Sequence, residues 1–549
     1  MKTILCKITF TSIAIIMVSF LLIIFSLPAS AEELVILHSN DTHSNLFPFG
    51  PHNEYGGIAR MSTMIKELKS ENDYVIALHA GDMFVGTFAF NKYLGYPEFK
   101  IMEGLYDAMA LGNHEFDLGP DVLGYILAGF NPITSIPFGP PVSLPLLCAN
   151  GNFSSLPMLD SFVEPSMIKD FGNFKVGLVG VVTPNPIYYS QSTAALFSDP
   201  YAAAGMTAAM LRAMGCQVVI AVSHLGQAYD MLGLSDVPGI DIIVGGHSHD
   251  YLPATVVGGK IIVQAGEFGK FLGELRVDVD TSSSGGVTLL DHTIHSIDRK
   301  VHKDPTILSY LNELREGIYE DPRFGPVYSR HLAKAMWDHE NKWLDDDPYQ
   351  KLWHRDTPLG NLVTDAIRTG VTAAGYTIDF AIEVNGGIGH KLYAGKVVGN
   401  DLMQVLSYGY DPVSGLGFKI KIVNLHAFEI LYALEYTVSM VEYTDDFSPQ
   451  ISGLTFEYDA TKPSFSRVDM SSIEINGQPI NLAAWYAIAL NEKILEFMAT
   501  LGIDITVPGR VIDPYPDLLE FNLAEDYMRQ LNKLKYTSEG RIIDTSELP

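Results

Sequence analysis

The chain predicts an α/β fold in two domains. Three observations carry that reading: five short aliphatic or β-branched runs within the first half, helical periodicity between them, and a change of character near residue 300. The runs at 34–37, 74–78, 108–111, 218–222 and 240–244 have the length and composition of buried strands. Segments 58–68 and 201–214 carry apolar residues at helical spacing, which suits crossovers between parallel strands, so the order predicted is β-α-β throughout. Residues 305–319 place Ile307, Leu308, Leu311, Leu314 and Ile318 on one helical face, closed by Asp321-Pro322, and predict a helix joining two domains. Runs at 378–384, 417–422 and 485–490 then give a second α/β region its strands. The division expected is a leader at 1–31, a first domain at 32–302, a linker helix at 303–322 and a second domain at 323–549.

The leader is read from Lys2 and Lys7, an apolar stretch from residue 8 to residue 27, and Pro28-Ala29-Ser30-Ala31. This is the pattern of a signal peptide cut after Ala31. An uncleaved anchor is the competing reading, since the stretch approaches the ~20 residues that span a bilayer, but the Ala-Ser-Ala ending favours cleavage. The polar segment 539–549 does not fit a lipid-anchor signal, and Cys6 lies too early for a lipoprotein cysteine. A periplasmic or secreted protein with no stable membrane anchor after cleavage is therefore expected. Cys148 and Cys216, both in strand-like runs, leave two buried thiols or one bridge open. The formal charge of −28 argues against nucleic-acid polymers and anionic membranes as partners.

Each strand run of the first half stops at a polar segment: Asp41-Thr42-His43, Gly81-Asp82, Gly112-Asn113-His114-Glu115, Ser223-His224 and Gly245-Gly246-His247-Ser248-His249. Sites collect at strand C-termini because loops converge there on a rigid sheet. Carboxylate, imidazole and amide oxygens without cysteine suit divalent Mn, Zn, Fe, Co or Mg. Hydrolysis of a phosphate ester at such a centre uses two ions roughly 3.5–4 Å apart, so one carboxylate must serve both. Asp82, alone after its strand, is the natural bridge. Any one of these histidines by itself is more often a satisfied polar residue; five ordered matches are not. His38 and His79 are read as structural, and His52, His292, His295, His302, His331, His339 and His426 as solvated or capping. The run 345–347 is read as an exposed acidic loop.

The set D-x-H, G-D, G-N-H-E, S-H and G-G-H-S-H resembles the calcineurin-like metallophosphoesterases, and Asn113-His114-Glu115-Phe116-Asp117 is similar to the form in their 5′-nucleotidase branch. The resemblance implies an N-terminal four-layer α/β/β/α sandwich, a linker helix and a C-terminal α/β domain that recognises substrate and rotates against the metal domain. It implies that Asp41, His43, Asp82 and His249 hold one divalent ion (Zn, Mn, Co or Mg) and Asp82, Asn113, His224 and His247 the other. His249 is glutamine in some bacterial members. His114 oriented by Asp117 would be the catalytic dyad, and attack would come from a metal-bridged hydroxide. In the second half, Thr357-Pro358-Leu359-Gly360-Asn361 and Asn385-Gly386-Gly387 resemble the family's C-terminal domain. By that likeness Asn385 contacts substrate, Arg355 stands near a phosphate-binding arginine, and Tyr408 is one of two base-stacking rings. Two departures stand out: His390 replaces an arginine, and residues 500–505 lack the second ring, for which Phe497 is a candidate substitute. The activity expected is hydrolysis of small phosphate esters, 5′-nucleotides foremost. A nucleotide-sugar or 2′,3′-cyclic nucleotide phosphodiesterase on the same fold is the alternative, and a non-catalytic extracellular binding protein the third.

Overall fold

The computed structural model describes residues 31–281, 286–341, 355–442, 444 and 446–547; the leader up to residue 30 and the acidic run 345–347 lie outside them. Two sheets dominate the first half. The seven-stranded sheet runs, in spatial order, Val287–Ser296, Phe271–Asp280, Ala31–Ser39, Val75–His79, Ala108–Ala110, Leu146–Leu147 and Val163–Glu164. The six-stranded sheet runs Tyr251–Val257, Lys260–Ala265, Ile242–Val244, Val218–His224, Lys175–Val182 and Ser166–Asp170.

Side chains alternate across a strand, so a strand buried on both faces needs apolar residues at every position. Leu34, Ile36, Ile76 and Leu78 point between the sheets, where they meet Leu178, Val218 and Ile220 of the other sheet. Val35, Leu37 and Ala77 point the other way and pack with Met61 and Ile65 of the helix Ile58–Glu71. On the far side, Val179, Val219 and Ala221 pack with Ala204, Ala208 and Leu211 of the helix Pro200–Ala213. The layers are therefore helix, sheet, sheet, helix, as expected.

The β-α-β order does not run throughout. Residues 251–296 form four strands, each of which pairs antiparallel with a neighbour, Tyr251–Val257 with Lys260–Ala265 and Phe271–Asp280 with both Ala31–Ser39 and Val287–Ser296. Two of them are half-exposed edge strands with mixed polarity, which is why no aliphatic run announces them.

The predicted linker helix is Pro305–Glu320, capped by Asp304 accepting from the Thr306 and Ile307 amides, with Leu311, Leu314 and Ile318 buried. Beyond it, a five-stranded sheet has the order Pro449–Ser452, Phe380–Val384, Trp485–Asn491, Ile420–His426 and Val511–Ile512. The two halves share an apolar seam: Phe88 packs on Phe324, Tyr328 and Phe521 with ring centroids 5.5, 5.5 and 6.2 Å away. Cys148 and Cys216 are buried free thiols.

Candidate active site

All five polar segments converge at one end of the two sheets. Two sets of donors result, Asp41 with His43 and His249, and Asp82 with His224 and His247; within each set the ligand atoms lie within 4.8 Å of one another. His224 Nε2 stands 2.9 Å from Asp82 Oδ2 and 3.9 Å from Asp41 Oδ1, and Asp41 Oδ1 is 3.5 Å from His249 Nε2, so the sets are contiguous. Asn113 is buried beside them, its side-chain oxygen without a hydrogen-bond partner among the described residues.

The hydrogen bonds behind these rings fix which nitrogen faces the centre. A carbonyl or carboxylate oxygen only accepts, so Nδ1 donates in His43 to Phe84 O at 3.0 Å, in His224 to Ala80 O at 2.6 Å and in His249 to Glu267 Oε2 at 2.8 Å. Each ring then presents Nε2 inward; burial opposes a charge on them, yet Asp82 raises His224 to about 9 and Asp41 with Glu267 raises His249 to about 10, so an ion bound there would displace a proton from each of these two. His43 Nε2 and His249 Nε2 face each other at 3.1 Å, and His224 Nε2 faces a carboxylate oxygen. Imidazole nitrogens and carboxylates converging in this way call for positive charge between them, and three imidazoles oriented by acceptors on their outer nitrogens are the usual surroundings of a bound divalent ion. The residues present thus fit a metal centre. Burial, reinforced by neighbouring imidazoles, pushes His43 down to about 3 and His247 down to about 4, which keeps both rings neutral and able to ligate. Burial alone would raise Asp82; His224 and His114 hold it well below the usual carboxylate range.

The backbone carrying these groups is strained. Asp41, His43, Asp82, His247 and His249 have φ of 47°, 43°, 54°, 76° and 61°, in the left-handed region that side-chain-bearing residues seldom enter. Packing beside them is equally tight: a Cβ on Gly112 would stand 2.2 Å from Asp82 Oδ1, so only glycine fits there. The Asp82 turn is held by Glu115, fully buried, whose two oxygens accept from the amides of Asp82, Met83, Phe84 and Gly112 at 3.0, 2.8, 3.1 and 2.6 Å. Asn40 ties the Asp41 turn in the same manner, donating to Asp41 Oδ2 and to Gly266 O, both at 2.6 Å. The sequence reading assigned no role to Asn40, Glu115 or Glu267; only the adjacency of Asn40 and Glu115 to ligands hinted at one.

His114 reaches the centre without joining either donor set. Its Nδ1 bonds Asp117 Oδ2 at 2.8 Å and its Nε2 lies 4.0 Å from Asp82 Oδ2. Burial opposes a charge on this ring, yet Asp117 and Asp82 raise it to about 9. The ring of Tyr408 stacks on His114 at 5.0 Å and stands edge-on to His43 at 6.4 Å, so the second half of the chain covers the dyad. Gln404 Nε2 donates to Asn45 Oδ1 at 2.9 Å across the same seam.

The remaining sequence-derived residues are spread over that second half. Asn385 is buried, its Oδ1 without a hydrogen-bond partner among the described residues, and its amide donates to Ser448 O at 3.0 Å. Phe447, next to Ser448 in sequence, lies 6.1 Å from the ring of Phe497, which is 5.2 Å from Tyr436. Arg355 lines a small cavity with Val438, Ser448, Pro449, Tyr458 and Ile542, none of which is a ligand. His390 sits in a slot between Phe49 and Phe268, each 4.8 Å away; burial pushes it down to about 4, so it enters the seam as a neutral ring and not as an arginine-like cation. His38 and His79 are both fully buried, and so is His339, which the sequence placed in solvent or at a cap.

Comparison with known proteins agrees with this geometry. Residues 34–251 match the calcineurin-like phosphoesterase family, and residues 340–498 match the 5′-nucleotidase C-terminal domain family. The snake venom 5′-nucleotidase of Crotalus adamanteus is 28% identical over 94% of this chain and 90% of its own length. The trifunctional nucleotide phosphoesterase of Bacillus subtilis is 28% identical over 84% of the chain, which spans only 32% of that relative. A crystal structure of a 5′-nucleotidase precursor from Thermus thermophilus is 27% identical, with a TM-score of 0.79, covering 94% of this chain and all of that one. Two family matches in the expected order, on a fold whose strand ends converge on two metal-ligand sets, make the chain a member of the 5′-nucleotidase family of metal-dependent phosphoesterases.

Proposed function

We propose that the protein is an exported hydrolase that uses two divalent ions to release phosphate from 5′-nucleotides. The observation that carries this is the pair of contiguous donor sets with His114 beside them and outside both. Two ions bound there would acidify a water and clamp phosphoryl oxygens. The chain's own groups do the rest. Asp117 fixes the direction of His114, whose Nε2 faces the pocket and can neutralise charge on the phosphoryl or leaving oxygen. Tyr408 closes the dyad from the second half, and Asn385 offers an unpaired carbonyl oxygen to a polar group of the substrate. Nucleotide as substrate is supported by the similarity to the venom and Thermus 5′-nucleotidases. Export is supported by the leader pattern at 1–31, and no helix among the described residues is long and apolar enough to cross a membrane.

The test is a panel of nucleoside monophosphates, cyclic nucleotides and nucleotide sugars, assayed on the purified mature chain with Mn, Zn, Co or Mg. Preference for a monophosphate, with loss of activity and of both ions in Asp82→Ala, supports the reading. A better diester or nucleotide-sugar substrate leaves the chemistry and overturns the nucleotidase assignment; a protein that binds no divalent metal overturns both.

A further inference from the structure

The segment 265–270 belongs to none of the five polar segments, yet it forms the back wall of one donor set. Ala265 N donates to Asn40 Oδ1 at 2.9 Å, Gly266 O accepts from Asn40 Nδ2, and Phe268 N donates to Asp41 O at 2.7 Å. The Phe268 ring packs against His43 and His249 with centroids 5.8 and 5.7 Å away. Between these anchors Glu267 directs one carboxylate oxygen to His249 Nδ1 at 2.8 Å and the other to Lys270 Nζ at 2.7 Å.

We propose that Glu267 is a positioning residue that makes His249 a metal ligand and thereby sets the loading of the Asp41, His43 and His249 site; this rests on the two-ion reading above. His249 lies in a half-exposed turn with φ of 61°, and no helix or strand holds its ring. Its outer nitrogen has a carboxylate for partner, whereas those of His43 and His224 have backbone carbonyls. A carboxylate on that nitrogen fixes the tautomer, aims Nε2 at the ion and raises its basicity as a ligand. Lys270 holds Glu267 in place by its second oxygen, and the ammonium also lies 5.4 Å from the Phe268 ring. In the other donor set His224 leans on Ala80 O, so the two sites differ in what keeps a histidine aimed.

The experiment measures Mn binding by equilibrium dialysis on the full mature chain and on Glu267→Gln, Glu267→Asp and Glu274→Gln, with the metal-induced rise in Tm recorded for each. Glu274 accepts from His295 Nε2 at 2.7 Å outside both donor sets and is the control for losing any carboxylate-imidazole pair. The inference expects the wild type and Glu274→Gln to bind two ions. Glu267→Gln should weaken one of the two roughly 10–100-fold, the usual effect of removing such a partner, with the Tm of the metal-free protein held and its metal-induced rise reduced; Glu267→Asp should recover part of the affinity. Two ions bound to Glu267→Gln with wild-type affinity overturn the inference and leave the two-ion reading standing. Loss of both ions in Glu267→Gln also overturns it, since its effect is confined to one site. A wild type that binds fewer than two ions overturns the two-ion reading itself.

Discussion

Glu115→Gln separates the support of the metal centre from the centre itself. In the wild type, Oε1 accepts from the amides of Met83 and Phe84, and Oε2 from those of Asp82 and Gly112, all in a fully buried pocket. Glutamine keeps the shape but has one oxygen; whichever way its amide is turned, an NH2 group faces two backbone donors. Each buried donor left without an acceptor costs about 1–3 kcal/mol, so the substitution should destabilise the protein by about 2–6 kcal/mol. That is a large part of the 5–15 kcal/mol typical of folded domains. Because two of the affected amides belong to the Asp82 turn and to Gly112, the strain falls on the carboxylate expected to serve both ions. Urea unfolding of the metal-free protein, metal content and kcat are the three readouts. The expected result is a fall in all three, with unfolding shifted even before metal is added. Wild-type stability and two tightly held ions in Glu115→Gln would refute the reasoning that this carboxylate builds the turn.

The other predictions concern the dyad, the seam and pH. His114→Ala should lower kcat by roughly 10²–10⁴-fold with metal content unchanged, while Asp117→Asn should cost less because the imidazole remains; loss of an ion on His114→Ala, read by elemental analysis, would reassign it as a ligand. Tyr408→Ala should raise KM for a nucleoside monophosphate if the ring also contacts substrate, and an unchanged KM would confine it to covering His114. His390→Ala should change stability more than the pH dependence of KM between pH 6 and pH 8.5, because burial already holds that ring neutral there. Burial raises Glu383 from 4.5 to about 7 and, with Glu383 beside it, raises Glu520 well above the carboxylate range. Folded values above unfolded ones mean that this stabilisation is complete below about pH 4.5 and is lost as pH rises through about 7. Glu383 alone puts about 3 kcal/mol at stake, and Glu520→Gln should flatten stability measured by urea unfolding across that window.

What the sequence made legible follows from short-range physics. Strands buried on both faces must be aliphatic at every position, so the runs ending at Asp41, Asp82, Asn113, His224 and His247 stood out, and so did the helix Pro305–Glu320 with its Asp304 cap and the apolar stripe of Leu311, Leu314 and Ile318. The half-exposed strands Tyr251–Val257 and Val287–Ser296 carry no such run. Contacts between distant positions leave no periodic trace at all. Glu267 meets His249 and Asn40 meets Gly266 only because the antiparallel return of Phe271–Asp280 onto Ala31–Ser39 brings those turns together. His390 shows the same limit: a histidine in place of arginine reads as a weaker phosphate contact, whereas the fold seats it between Phe49 and Phe268.

The glycines beside the ligands were legible; the strain on the ligands themselves was not. Five of them hold φ between 43° and 76°, at a cost on the order of 1 kcal/mol or more each, so the turns would relax if left alone. Glu115 with its four amides, Asn40 with its bonds to Asp41 and Gly266, and the wall that carries Glu267 supply the opposing interactions. None of these three groups is placed to ligate an ion, yet each fixes a turn from which a ligand projects. The chemistry of the centre therefore depends on a second ring of buried polar residues as much as on the donors. A chain carrying all seven proposed ligands but lacking Glu115 or Asn40 should fold toward relaxed turns and bind metal poorly, and that outcome separates a set of donors from a working site.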